Sequence, residues 1–113
     1  MPVQQLQGTT AIEYNGYVYV MGGYNNSVGN YSTVYSAPLN SNGSVGTWNT
    51  TTALPQNIYF ATSVEYNGYV YVMGGDDGSS VLTTVYYAPL NTNGTLGSWS
   101  STTSLPQALY RAT

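Results

Sequence analysis

The chain contains no cysteine, no histidine and no lysine among its 113 residues, and only 4% of them are charged. Each absence removes a class of chemistry. Without Cys or His there is no thiol nucleophile, no Ser–His relay and no zinc site built on sulfur or imidazole. Without Lys there is no Schiff base and no phosphate-loop lysine. The one cation, Arg111, stands against four carboxylates, Glu13, Glu65, Asp76 and Asp77, for a net charge of −3. Such a chain cannot neutralise a run of phosphates, so nucleic acid is not an expected partner. The longest apolar run, Tyr17 to Met21, is too short to span a bilayer, and no membrane association is expected. Met1 to Gln5 shows neither the basic region nor the apolar core of a signal peptide. Solubility rests instead on the hydroxyls and amides of Ser, Thr and Asn, 38 residues together. That composition fits a secreted or cell-surface parent protein and is the one guide to localisation.

What the chain does have is aromatic and repeated. It carries 13 Tyr and 2 Trp, far too many packing groups for a disordered chain. The segment Glu13-Tyr-Asn-Gly-Tyr-Val-Tyr-Val-Met-Gly-Gly23 recurs letter for letter as Glu65 to Gly75. Val34-Tyr-Ser-Ala-Pro-Leu-Asn-Ser-Asn-Gly43 returns with two changes as Val85 to Gly94. Trp48 and Trp99 keep the same spacing, as do Leu54-Pro55 and Leu105-Pro106. The offset falls from 52 to 51 between Gly23 and Val34, which marks that stretch as a length-tolerant loop.

Every signal within a repeat is β. Thr10 to Tyr14 reads as a strand, Asn15-Gly16 as a two-residue hairpin turn, and Tyr17 to Met21 as a strand apolar on both faces. Ser32 to Leu39 reads as a third strand that Pro38 ends or bulges, and Val45 to Thr51 as a fourth carrying Trp48. No segment shows an apolar period of 3.6, so no helix beyond a turn is expected.

Four short antiparallel strands in 50-odd residues describe a propeller blade. The order strand, Asn-Gly, Tyr-Val-Tyr-Val-Met-Gly-Gly, Tyr, Trp, Leu-Pro resembles the kelch repeat, the blade unit of kelch and galactose-oxidase-like β-propellers. The resemblance implies an all-β fold with two four-stranded antiparallel blades, at about 9–55 and 61–106 of a single unit spanning 1–113. Residues 107–113 then resemble the start of a further repeat, and the chain is expected to be a piece of a longer array or an engineered chain. Kelch-like rings have six or seven blades, so two blades leave sheet faces open. Three chains closing a six-bladed ring is the first expectation and four closing an eight-bladed ring the second. The copper enzymes among the galactose-oxidase-like proteins use His and Cys, which are absent, so the resemblance reaches the scaffold only. No cofactor and no catalytic residue is expected.

Three groups are candidates for binding. The loops after Gly-Gly, Tyr24, Asn25 and Asn26 in one repeat and Asp76 and Asp77 in the other, differ most between repeats, as recognition loops do. Two adjacent acids are too few oxygen ligands to define a metal site. Tyr59, Phe60, Tyr110 and Arg111 lie on the lead-ins to first strands, near a rim, and Arg111 stands where kelch repeats often carry Arg. Aromatic rings beside Asn and Ser suit sugars, so a glycan is the alternative to a protein partner. Glu13 and Glu65 hold equivalent places on the first strand, which lines the channel of kelch-type rings. There they either repeat a carboxylate around the axis or accept hydrogen bonds from nearby backbone.

Overall fold

The computed structural model describes residues 7–25 and 29–107. Ten strands occur among them: β1 Thr10–Tyr14, β2 Tyr17–Met21, β3 Tyr24–Asn25, β4 Gly29–Asn30, β5 Val34–Pro38, β6 Asn49–Thr51, β7 Thr62–Tyr66, β8 Tyr69–Met73, β9 Val85–Pro89 and β10 Ser100–Thr102. They form two four-stranded antiparallel sheets, β1-β2-β5-β6 and β7-β8-β9-β10, with β3-β4 a small ribbon in the first loop. No helix occurs among the described residues.

The local chemistry sets each sheet. Asn15 and Gly16 sit at φ 53° and 81°, and Asn67 and Gly68 at 54° and 83°, the left-handed pair a tight hairpin requires. The pairings Tyr14↔Tyr17 and Tyr66↔Tyr69 follow directly from those turns. Proline fixes the far end. Pro38 and Pro89 have no N–H for the ladder, and β5 and β9 stop there. Each third hairpin closes instead through Gly46 N–H to Pro38 O (2.8 Å) and Gly97 N–H to Pro89 O (2.9 Å). The fourth strand is therefore shorter than its sequence implies: β6 starts after Trp48, and Val45 only bridges Leu39.

The sheets pack face against face, with β1 lying against β7. Alternation along β2 turns Tyr19 and Met21 toward the second sheet, where both are buried together with Val34. The second sheet answers with Val70, Val72 and Ala88 from β8 and β9, and with Leu90 and Leu96 from its third hairpin. Trp99 packs on the same core, and its indole N–H reaches Thr52 O at 3.2 Å. The Tyr19 hydroxyl is buried with no hydrogen-bond partner among the described residues. Burial, with Tyr17 and Tyr14 nearby, pushes its pKa up, so it stays neutral.

The Gly-Gly pair holds the connection between the blades. Gly23 N–H donates to Ile58 O at 2.8 Å, and Ile58, a residue of the linker, is itself buried. A Cβ on Gly22, whose φ is +70°, would lie 2.2 Å from Ile58 O. No side chain fits there, and the backbone angle is one that L-residues avoid. Gly22→Ala should therefore cost at least about 2 kcal/mol in a denaturation experiment. Gly16→Ala is the control, because it shares the positive φ but meets no atom within 4 Å.

Candidate functional site

The Gly-Gly loops and the inter-blade linker lie at one end of the sheets; the Asn-Gly turns and third hairpins lie at the other, with Leu39 N–H donating to Gly16 O at 2.8 Å. At the Gly-Gly end, two backbone bridges repeat the same geometry. Gln7 and Tyr24 exchange two hydrogen bonds of 2.8 Å, and Tyr59 and Asp76 exchange two of 2.9 Å. Phe60 N–H then donates to Gly8 O at 2.7 Å and ties the two bridges together.

This geometry gathers three aromatic rings from separate parts of the chain. Tyr24 and Tyr59 have centroids 4.8 Å apart, Tyr59 and Phe60 5.4 Å, and Tyr24 and Phe60 6.1 Å, all tilted or edge-on as ring quadrupoles favour. Phe60 adopts φ +60°, a conformation rare for a bulky residue. Gly8, its equivalent in the first repeat, adopts φ +71° without that penalty. The second repeat thus holds a strained aromatic where glycine would serve the backbone better. The Tyr24 hydroxyl donates to Gln7 Oε1 at 2.9 Å, which places an amide beside the rings.

The carboxylates are occupied locally. Asp76 Oδ1 accepts Gly78 N–H at 2.7 Å, and Asp77 Oδ1 accepts Ser79 and Ser80 N–H, both at 2.8 Å. They act as side-chain turn caps that shape the loop. No cluster of three or more metal-ligating side chains occurs among the described residues. Glu13 Oε2 accepts Gly16 N–H and Glu65 Oε2 accepts Gly68 N–H, each at 3.0 Å, so each carboxylate braces its own hairpin. Asn26, Tyr110 and Arg111 lie outside the described residues, and Asn25 is placed by its backbone in β3 alone.

Loop and lead-in candidates that were separate in the sequence therefore form one cluster of Tyr24, Tyr59, Phe60 and Asp76, with Glu13 and Glu65 apart from it. Gln7 is the member the sequence reading missed. Its signal was its register, 52 residues before Tyr59. A concavity of about 160 Å³ lies elsewhere, between the blades at the hairpin end, among Tyr17, Ser36, Asn49, Asn93 and Gly94.

Residues 58–87 match the Kelch motif. That stretch runs from the linker through β7 and β8 into β9. Among solved structures the chain is similar to one titled "Structure of YjhT", with a TM-score of 0.73 and 23% identity over 97% of this chain and 31% of that one. At that identity the likeness carries the fold. No curated protein matches the chain by sequence. The architecture is that of a kelch-type β-propeller, of which this chain builds two blades and spans about a third of the length of the similar structure.

The Asp77 cap responds to acid. The Ser79 and Ser80 N–H groups hold the Asp77 carboxyl below its ordinary value of 3.8. A lowered pKa in the folded state adds order that is complete above 3.8 and is lost as pH falls through the lowered value. Amide-exchange protection at Ser79 and Ser80 should therefore persist down to that range and then fall. In Asp77→Ala it should be low at every pH.

Proposed function

We propose that the chain is a non-enzymatic, self-assembling propeller scaffold whose Gly-Gly face binds a protein partner. The observation that carries this reading is the rim cluster of Tyr24, Tyr59 and Phe60. Rigid aromatic anchors beside polar groups, held by backbone bridges, are what a protein-binding surface uses for affinity. The kelch-type fold supports an interaction role of this kind, and the fixed backbone keeps the ordering cost of binding low. The blades require cover on their outer faces, and three copies completing six blades is the favoured assembly, with four copies second.

The rings, the Gln7 amide and the hydroxyl-rich surroundings also suit a glycan, which stacks an apolar face on an aromatic and hydrogen-bonds at its edge. Selection of a random peptide library on the immobilised protein, beside a broad glycan array, separates the two. Peptides whose binding falls at least tenfold in Tyr59→Ala and Phe60→Gly support the protein partner. Phe60→Gly should keep near wild-type stability, because relief of about 1–2 kcal/mol of backbone strain offsets lost packing. Glycans bound with the same dependence would favour the lectin reading, and silence on both would end the role assigned to the rim.

A further inference from the structure

The positions that make the blade–blade seam inside the chain recur on its two outer faces, mostly with the same or a similar residue. We infer that the outer face of the first blade docks on the outer face of the second blade of another copy, re-forming the internal seam. This rests on the reading that the chain self-associates, and it names the surfaces and the contacts.

The internal seam shows what the contacts are. On the second blade, Leu90 and Leu96 are 7% and 5% exposed beneath the first blade. Their counterparts on the open first-blade face, Leu39 and Val45, are 41% and 46% exposed. On the other side, Ile12 and Tyr17 pack into the seam core. Their counterparts Val64 and Tyr69, on the open face of the second blade, are 42% and 38% exposed. The same positions are thus covered once and bare once in a single chain.

Polar groups match as well. In the internal seam Leu96 N–H donates to Thr51 Oγ1 (2.9 Å) and Thr52 Oγ1 donates to Leu96 O (2.8 Å). The corresponding hydroxyls at the open face are Thr102 and Thr103, and the backbone they would meet is that of Val45 in the next copy. Trp99 Nε1–H donates to Thr52 O, and Trp48 stands ready to donate to Thr103 O. Asn15 Nδ2–H donates to Thr92 O at 3.0 Å; Asn67 and Ser41 hold those places at the new seam. Gly94 lies so close to the Tyr17 ring that a Cβ would be 2.5 Å from it, whereas nothing lies within 4 Å of Gly43, its counterpart. The Tyr69 ring of another copy fits that bare glycine.

Two contacts differ. In the internal seam the Thr10 and Ser63 hydroxyls are hydrogen-bonded to each other, whereas at the new seam Thr62 meets Ala11 and that bond has no counterpart. Ser36, whose hydroxyl donates to Gly94 O at 2.8 Å beside the 160 Å³ cleft, is replaced by Tyr87. Tyr87 stacks on Tyr71 with centroids 5.9 Å apart and lies 5.8 Å from Tyr69. At the seam between copies its ring occupies the space that the internal seam leaves as a cleft. The two seams are therefore alike in backbone register and distinct in filling.

Such docking is head to tail, and it has a signature that face-to-face pairing lacks. Val45→Asp disables one face and Tyr69→Asp the other; both side chains are exposed in the single chain, so its fold should survive, which circular dichroism checks. Thr102→Asp is a second variant for the same face as Tyr69. Native mass spectrometry should find each variant alone monomeric, with at least 100-fold weaker association than the parent. Mixing Val45→Asp with Tyr69→Asp leaves one intact seam, and a one-to-one complex that grows no further is expected. If the parent assembles but the variants assemble equally well, or the mixture gives no complex, the seam is wrong while self-association stands. A parent chain that stays monomeric at every concentration ends self-association itself and leaves further blades of a longer chain as the cover.

Discussion

A thin β-sheet that is apolar on both faces must be covered on both. Tyr-Val-Tyr-Val-Met supplies alternating side chains that are all hydrophobic, so neither side of β2 or β8 is suited to water. Every larger feature follows from this demand. It makes the two sheets pack on each other, and it sorts Tyr19 and Met21 to one side of β2 and Val18 and Val20 to the other. It also leaves each sheet with one uncovered face. Val72 is 1% exposed where a blade covers it, and the matching Val20 is only partly buried.

The same packing positions the rim. Face-to-face stacking needs a linker that crosses from β6 to β7 close to the first sheet, and Gly22-Gly23 is where backbone meets backbone. Once Ile58 is seated there, Tyr59 and Phe60 emerge beside Tyr24 with little choice of direction. The rim cluster is thus a consequence of blade stacking plus one costly decision, an aromatic at a glycine-like φ. Scaffold and site share the linker, so the stability of one and the geometry of the other are coupled.

The repeat makes most of this fold legible in the sequence. Exact recurrence of Glu13–Gly23 announced two equal units, Asn-Gly placed the hairpins, and Trp and Leu-Pro marked each unit's end. The strand ends were less legible. Val45 to Trp48 looks like strand by composition, but the missing N–H of Pro38 diverts the hairpin through Gly46. The rim was legible only as separate residues. Tyr24 and Tyr59 are brought together by two backbone bridges, and nothing in their spacing announces that contact. The carboxylates were ambiguous for a related reason. Whether Asp76, Asp77, Glu13 and Glu65 face a ligand or cap a turn depends on loop geometry, and in the folded chain each accepts a neighbouring N–H.

The central claim is that a position's environment is set by whether a blade covers it, since the two halves are otherwise nearly the same sequence. Trp48 and Trp99 report on this directly, one on an outer face and one at the internal seam. The measurement is fluorescence quenching by iodide in two single-tryptophan variants, Trp99→Phe and Trp48→Phe, followed from high to low protein concentration. The account predicts that dilution raises the quenching of Trp48 and leaves unchanged that of Trp99, which packs half-buried on the internal seam. Equal quenching of the two at every concentration, or exposure of Trp99 ahead of Trp48, would contradict it.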